Sequence, residues 1–426
     1  MIKQYIKQAL QMIKENRLIS TISIIGTAIS IAMIMIVVLV IQIQVVNYYP
    51  ENNRDRMLFV DSGGTQASSK NGNNWNNGSM SPETAKGIFY PMQTPEAVTG
   101  YASKGLSVSL MDRRSYTTYD IKATDPGFWK VFSFQFVAGA AFSQADFDSG
   151  IRNAVISEKL AHTLFGKTDV VGQEIRLDLT PYRICGVVKD VSKVATVAYA
   201  DVWIPYTCDA DVMRKVGSEN IPGALAIVIL AKKTSDFDVI KEELKRNIAK
   251  FNASKQDYEV SFFENPITQW DKARGSDGQI LVKWNDYWLE TGGLLLFLLI
   301  VPALNLLGIT QSSVQKRQAE IGVRKAFGAT NRMIIRQVLC ENGVITLIGG
   351  IIGLLLSLLS LPICKDFLLK TTDAELSLEM LFQPFTFIIA LLFCMALNLL
   401  SAGLPAWIIA RKPISDAIKN EEETNK

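Results

Sequence analysis

Four runs of residues carry no charge at all, and each is long enough to cross a lipid bilayer as a helix. They extend from Leu18 past Val46, from Thr291 to Gln315, from Asn342 to Cys364 and from Met380 to Ala410. A spanning helix needs about 20 apolar residues, and in lipid its backbone N–H and C=O groups must bond within the helix. That places membrane spans at 18–46, about 291–310, 338–363 and 384–410, and leaves 47–289 as one long polar insert. With 48% hydrophobic residues and a mean hydropathy of +0.17, the chain is too apolar for a soluble protein and too polar for one wholly in lipid. The expected fold is a membrane protein: four transmembrane α-helices with a large mixed α/β extracytoplasmic domain between spans 1 and 2.

Charge placement sets the sides of the membrane. Lys3, Lys7, Lys14 and Arg17 precede span 1, and Lys316, Arg317, Arg324, Lys325, Arg332 and Arg336 lie between spans 2 and 3. Arg411 and Lys412 follow span 4, whereas the connection between spans 3 and 4 leans acidic, with Asp366, Asp373, Glu375 and Glu379. Basic loops stay in the cytoplasm. Both termini are therefore expected inside and 47–289 outside, as in a multi-pass protein of the bacterial cytoplasmic (inner) membrane. Gln-Val-Val-Asn-Tyr-Tyr follows the first run where a cleavage site needs small residues, so span 1 reads as an uncleaved anchor. Residues 1–17 put Ile2, Ile6, Leu10 and Ile13 on one face, the pattern of a cytoplasmic amphipathic helix at the lipid interface. Residues 413–426 form a cytoplasmic tail. Trp284, Tyr287 and Trp288 sit where amphipathic rings favour the interface, and are expected to end a stalk that continues span 2 outward.

Inside the insert, strands are expected at Arg56–Val60, Ala224–Leu230 and Tyr258–Phe263, and a hairpin over 104–122 turning at Asp112-Arg113-Arg114. Residues 61–80, rich in Gly, Ser and Asn, read as a mobile loop carrying an exposed Trp75. Ser81-Pro82 starts a short helix, with Ser as cap and Pro in the first turn. Ser235 caps a helix with Ile240, Leu244, Ile248 and Phe251 on one face, which predicts a βαβ unit with a parallel strand pair. The middle block 123–206 begins with Phe128, Trp129, Phe132, Phe134, Phe136 and Phe142, an aromatic stripe suited to a core. A strand-helix unit, Asn153–Ile156 followed by a helix to Gly166, and strands at Glu174–Leu177 and Tyr182–Val188 complete it.

Several chemistries are excluded. There is no Gly-x4-Gly-Lys-Ser/Thr phosphate loop, because Gly63 to Lys70 lacks the spacing. His162 is the only histidine, which removes His-rich zinc sites and Ser-His-Asp catalysis. The expectation is therefore a non-enzyme, with no cofactor of its own and no metal site. A net charge of +3 gives nucleic-acid binding no support. Cys185 and Cys208 share the insert and could pair, but Cys185 sits in an apolar strand, which favours two buried thiols.

Residues 316–331 join spans 2 and 3 and combine stiffness with charge. Glu320 and Arg324 are spaced i,i+4 in the favourable order, worth about 0.3 kcal/mol to a helix. Ala319, Val323, Ala326 and Phe327 share one face, Gly322 leaves a bare patch for close approach, Gly328 suits a helix end, and Asn331 suits the next helix cap. A cytoplasmic retention loop would need the charge but not the glycines. Polar residues inside the spans are few: Asn305, Ser357 and Asn398. Pro302 should bend span 2, and Gly349, Gly350 and Gly353 permit tight helix contact, suited to a dimer seam.

Two blocks of this sequence resemble the MacB/FtsX/LolC-type ABC transporter permeases. In 123–206 the resemblance rests on Phe128-Trp-Lys-Val-Phe, the Gly139, Phe142 and Asp146 run, Ser157-Glu-Lys-Leu-Ala, Val171-Gly-Gln-Glu-Ile and Tyr182-Arg-Ile-Cys-Gly-Val-Val-Lys-Asp. In 290–412 it rests on Asn305, on Arg317 with Glu320-Ile321-Gly322-Val323-Arg324-Lys325-Ala326-Phe327-Gly328, on Gly349, Gly350 and Gly353, and on the tail from Arg411. The resemblance implies a MacB-like extracytoplasmic core domain of two subdomains and an FtsX-like permease module whose segment 316–331 docks a separate cytoplasmic ABC ATPase. That partner would bind ATP and Mg, and the permease would be a homo- or heterodimer in membrane lipid. It also implies mechanotransmission, in which ATP hydrolysis moves the outside domain for export or extrusion from the envelope. The alternatives within the resemblance are an FtsX-like regulator of a cell-wall hydrolase and a lipoprotein-releasing permease, either with a periplasmic adaptor or hydrolase partner.

Overall fold

The computed structural model describes residues 11–67, 75–111, 117–289, 292–293 and 327–369 apart from a few positions, and some residues of 385–396. The chain divides into two compact units: Met1–Ile41, Trp284–Leu368 and Leu381–Lys426 form one, and Gln42–Lys283 with Leu369–Met380 the other. The first helix, α1 (Arg17–Val45), is the expected span 1, apolar from Ser20 to Val45. Span 2 falls almost wholly outside the described residues, as do most of span 4 and most of the amphipathic segment 1–17.

The larger unit contains β1 (Met57–Val60), β2 (Gly63–Ala67), β3 (Asn76–Met80), β4 (Ala97–Leu110), β5 (Thr118–Thr124), β6 (Phe136–Gly139), β7 (Asn153–Ser157), α2 (Glu158–Phe165) and β8 (Glu174–Leu177). These are followed by β9 (Thr180–Val188), β10 (Val202–Pro205), β11 (Pro222–Gly223), β12 (Ala226–Leu230), α3 (Phe237–Ala253), β13 (Tyr258–Ser261) and β14 (Ile267–Thr268). β4 pairs with β5, β5 with β10, β10 with β7, β7 with β9, β9 with β8, and β8 returns to β4. The strands thus close a six-membered ring, with the β5–β10 and β7–β9 pairs parallel. Beyond it, β6 extends from β9, and β12, β1 and β14 extend from β4. Val108, Ile121, Ile156, Ile175, Ile184 and Val202 are buried in one continuous core. Closure leaves those strands no free edge.

Local signals place most elements. Ser81 accepts a bond from the Thr84 amide, and Ser157 from the Leu160 amide, capping the short 82–84 helix and α2. Gly166 ends α2 at φ +71, where a side chain would be strained. Phe134 stacks edge-on between Trp129 and Trp203, at 5.0 and 5.2 Å, so the aromatic stripe is core, as expected. Cys185 and Cys208 are free and half-buried, and His162 is exposed on α2.

Several expectations need correction. Residues 61–80 are not simply a loop: β2 and β3 pair, and β2 also pairs with β13 in a second, four-stranded sheet ordered β11-β3-β2-β13. The glycines there serve packing, since a Cβ on Gly63 or Gly64 would stand within 2.6 Å of the Phe262 or Phe263 ring. Trp75 meets Phe263 edge-on at 5.6 Å and is half-buried, not isolated. The βαβ unit does not form. β12 is flanked by β1 and β4, both antiparallel, while β13 belongs to the other sheet. Ser235 is not a cap; it lies within a 3-10 turn, Thr234–Asp236, where the Asp236 carboxylate accepts from the Lys233 amide.

In the membrane unit, α4 (Asn331–Leu369) is longer than the expected span 338–363, and its stretch Asn331–Ser360 is apolar enough to cross. Asn331 is the first helical residue, which moves the cap position to Thr330, whose carbonyl accepts from the Met333 amide. Ser357 is fully buried and returns its hydroxyl to the Leu354 carbonyl. Gly349 and Gly353 face α1. A Cβ on Gly353 would stand 2.5 Å from the Ala28 carbonyl oxygen, and one on Gly349 2.9 Å from Thr27 Cβ. A Cβ on Gly350 would meet Leu391 Cδ1 at 2.5 Å. These approaches, assigned from sequence to a dimer seam, are made within the chain.

Backbone cannot retreat as a side chain can. Gly353→Ala is therefore expected to cost about 1–3 kcal/mol and lower the thermal midpoint of the full-length protein in detergent. Gly343→Ala, where no atom lies within 4 Å, is expected to leave the midpoint unchanged or raise it.

Candidate transmission site

The segment singled out by sequence, Arg317, Glu320, Ile321, Gly322, Val323, Arg324, Lys325 and Ala326, lies outside the described residues, as do Pro302 and Asn305. At its end, Phe327 is exposed and Gly328 has φ +91, the left-handed geometry that terminates helices.

Within the larger unit, a second cluster of charged side chains surrounds the end of α1. The last carbonyls of a helix have no partner within it. Here Arg54 supplies one: its Nη1 donates to the carbonyls of Ile43 at 3.0 Å and Gln44 at 3.4 Å. Its Nη2 donates to the Val194 carbonyl, and its Nε pairs with Glu51 Oε2 at 2.5 Å. The guanidinium also lies 4.0 Å from the centre of the Tyr48 ring. Glu51 in turn accepts from the Ala198 amide at 2.9 Å. Both side chains of the pair are at most 3% exposed. Burial works against the Arg54 charge, yet Glu51 and Tyr48 more than offset it and raise its pKa. The same burial pushes the Tyr48 phenol well above its ordinary value.

The loop gripped by this pair, 192–201, is held from the other side by Lys122. That side chain is buried on β5 and donates to the carbonyls of Thr196 and Val197, at 3.1 and 2.5 Å, with the Tyr101 ring 4.8 Å away. Burial lowers the Lys122 pKa to about 7. Nearby, Lys272 bridges Asp61 at 2.7 Å and covers the Phe59 ring. Three buried charged side chains therefore fasten the last turn of α1, the 194–198 backbone and β5. Such an arrangement ties three elements together; among the described residues no group of His, Cys, Asp or Glu there could hold a metal ion. Sequence reading passed over it. The available signals were Glu51 and Arg54 at i,i+3 shortly after an apolar run, and a lysine flanked by Ile121 and Ala123 at the end of the expected hairpin.

Breaking a buried pair leaves one charge unmatched. Arg54→Met is expected to destabilise the full-length protein by about 3–5 kcal/mol, and the double variant with Glu51→Gln by less than the two single costs combined, in chemical denaturation. Lys122 gives a pH signature. Its folded pKa lies below the unfolded value, so between pH 7 and 10 the unfolded state binds more protons and stability rises with pH. The expected slope is on the order of 1 kcal/mol per pH unit from pH 7 to 9, and Lys122→Met should lack it.

Residues 20–247, more than half of the chain, match the family model of the MacB-like periplasmic core domain, and 292–414 that of the FtsX-like permease C-terminal domain. The pyoverdine export ATP-binding/permease protein PvdT of Pseudomonas savastanoi pv. phaseolicola is 28% identical over 60% of this chain and 36% of its own length. The uncharacterized ABC transporter permease YknZ of Bacillus subtilis is 25% identical over 59% of this chain and 60% of its own. The macrolide export ATP-binding/permease protein MacB 2 of Aeromonas hydrophila is 26% identical over 69% and 42%. The chain thus spans from about a third to three fifths of the length of these relatives. Among solved structures, the periplasmic region of MacB from Actinobacillus actinomycetemcomitans aligns with a TM-score of 0.35 at 16% identity, over 50% of this chain and 92% of that one. The extracellular domain of YknZ aligns at 0.33 and 18%, over 47% and 99%. With both domains present in order, the chain belongs to the MacB/FtsX family of ABC-transporter permeases.

Proposed function

We propose that this chain is the permease subunit of an ATP-driven export system, working by mechanotransmission. ATP hydrolysis in a separate cytoplasmic ATPase would act on 316–331, with Glu320 and Arg324 providing the contact. The movement would reach the extracytoplasmic domain, with no requirement that a substrate cross between the spans. The observation that carries the reading is the buried Arg54–Glu51 pair, which bonds the last carbonyls of α1 directly to the 194–198 backbone. A flexible linker would dissipate motion; this contact transmits it. The relatives named for pyoverdine and macrolide export favour export over hydrolase control. A like permease as dimer partner and an envelope adaptor complete the proposal.

Purification of the tagged protein from its native cell in mild detergent is expected to bring down a stoichiometric phosphate-loop ATPase, identified by mass spectrometry. Glu320→Lys and Arg324→Glu should each lose it while keeping the wild-type melting temperature. Unchanged association in both variants would refute the docking assignment. Arg54→Met should keep the ATPase bound yet lose most transport-linked function, since its defect lies beyond the docking step.

A further inference from the structure

The extracytoplasmic domain also holds a buried carboxylate that takes no part in this transmission site. Asp125, 4% exposed, directly follows β5 and accepts four hydrogen bonds. The Thr99 hydroxyl at 2.8 Å and the Phe128 amide at 3.2 Å donate to Oδ1; the Gly100 amide at 2.8 Å and the Tyr90 hydroxyl at 2.5 Å donate to Oδ2. The four donors favour its anion. Burial pushes its pKa up against their pull. Among the described residues no lysine, arginine or histidine bridges to it, and a buried charge without an opposite charge is costly.

Asp125 lies at the floor of a cleft of about 370 Å³, within the range of small-molecule sites. Tyr90 gives its proton to Asp125, so the phenol of Tyr206, 3.2 Å away, donates to Tyr90. The floor is therefore rich in acceptors and negative. Ala97, Val98 and Pro126 form an apolar wall. At the rim Glu96 is already bridged to Arg56, and Lys86 and Lys130 are exposed.

We propose that this cleft binds a small organic cation, its primary ammonium directed at the Tyr90–Asp125 pair and its apolar body against Val98 and Pro126. The ammonium supplies the missing opposite charge. An amine of this kind could be a free small molecule or the amino terminus of a peptide. Neither an ATPase nor transport enters into the assignment.

The test is calorimetric titration of the full-length protein in detergent with phenethylamine, with the dipeptide amide Gly-Phe-NH2, and with the N-acetylated form of each. At least one free amine is expected to bind at about 1 mM or tighter, with its acetylated form at least about tenfold weaker. The tighter of the two amines identifies the source. Asp125→Asn should abolish binding. Because that variant removes the hub of four hydrogen bonds and could fail to fold, Ala97→Lys serves as the second probe: its tethered ammonium should compete, weakening the amine at least about tenfold. Equal binding of free and acetylated probes, no binding up to about 10 mM, or wild-type affinity in Ala97→Lys would overturn the proposal.

Discussion

A charge withdrawn from water must meet its opposite or be surrounded by dipoles, and around Arg54 both conditions are met at once. Glu51 neutralises the guanidinium, while the carbonyls of Ile43, Gln44 and Val194 take its remaining donors. The helix end and the loop need those bonds as much as the arginine needs them, because their carbonyls would otherwise be buried without partners. The two requirements fix the first residues after α1 in one arrangement. Lys122 repeats the device from β5 on the same loop, at the cost of a much weakened charge.

The six-strand ring gives that loop a firm base. Loop 192–201 connects β9 to β10, two strands of the ring, so a pull on Val194 or Ala198 is resisted by paired strands on both sides. The second sheet is built differently. Its strands are short, three of the four bear glycine, and Phe262 and Phe263 fill the space that side chains on Gly63 and Gly64 would occupy. Composition typical of a loop thus becomes a strand when rings from elsewhere in the chain supply the missing bulk.

Family membership and local geometry address different parts of the chain. The FtsX-like match covers 292–414, including the charged segment proposed to meet an ATPase. The MacB-like match covers 20–247, including Glu51, Arg54 and Lys122. The proposed function joins these two through α1 and α4, whose glycine contacts at Gly349 and Gly353 bring the helices to backbone distance.

The sequence by itself determined the first span, the placement of the outer domain, the aromatic core around Trp129 and the helix after Asn153–Ile156, because each depends on hydropathy or on neighbours a few residues apart. The family was also legible, since its motifs are contiguous. Only the tertiary structure decided that β12 and β13 belong to different sheets, that 63–67 and 76–80 form strands, that the small residues of α4 meet α1, and that Glu51, Arg54 and Lys122 hold one loop. Arg54 and Val194 are 140 positions apart. A side chain's hydrogen-bond partner at that separation is set by how strands pair, and strand pairing leaves no periodic trace in the residues themselves.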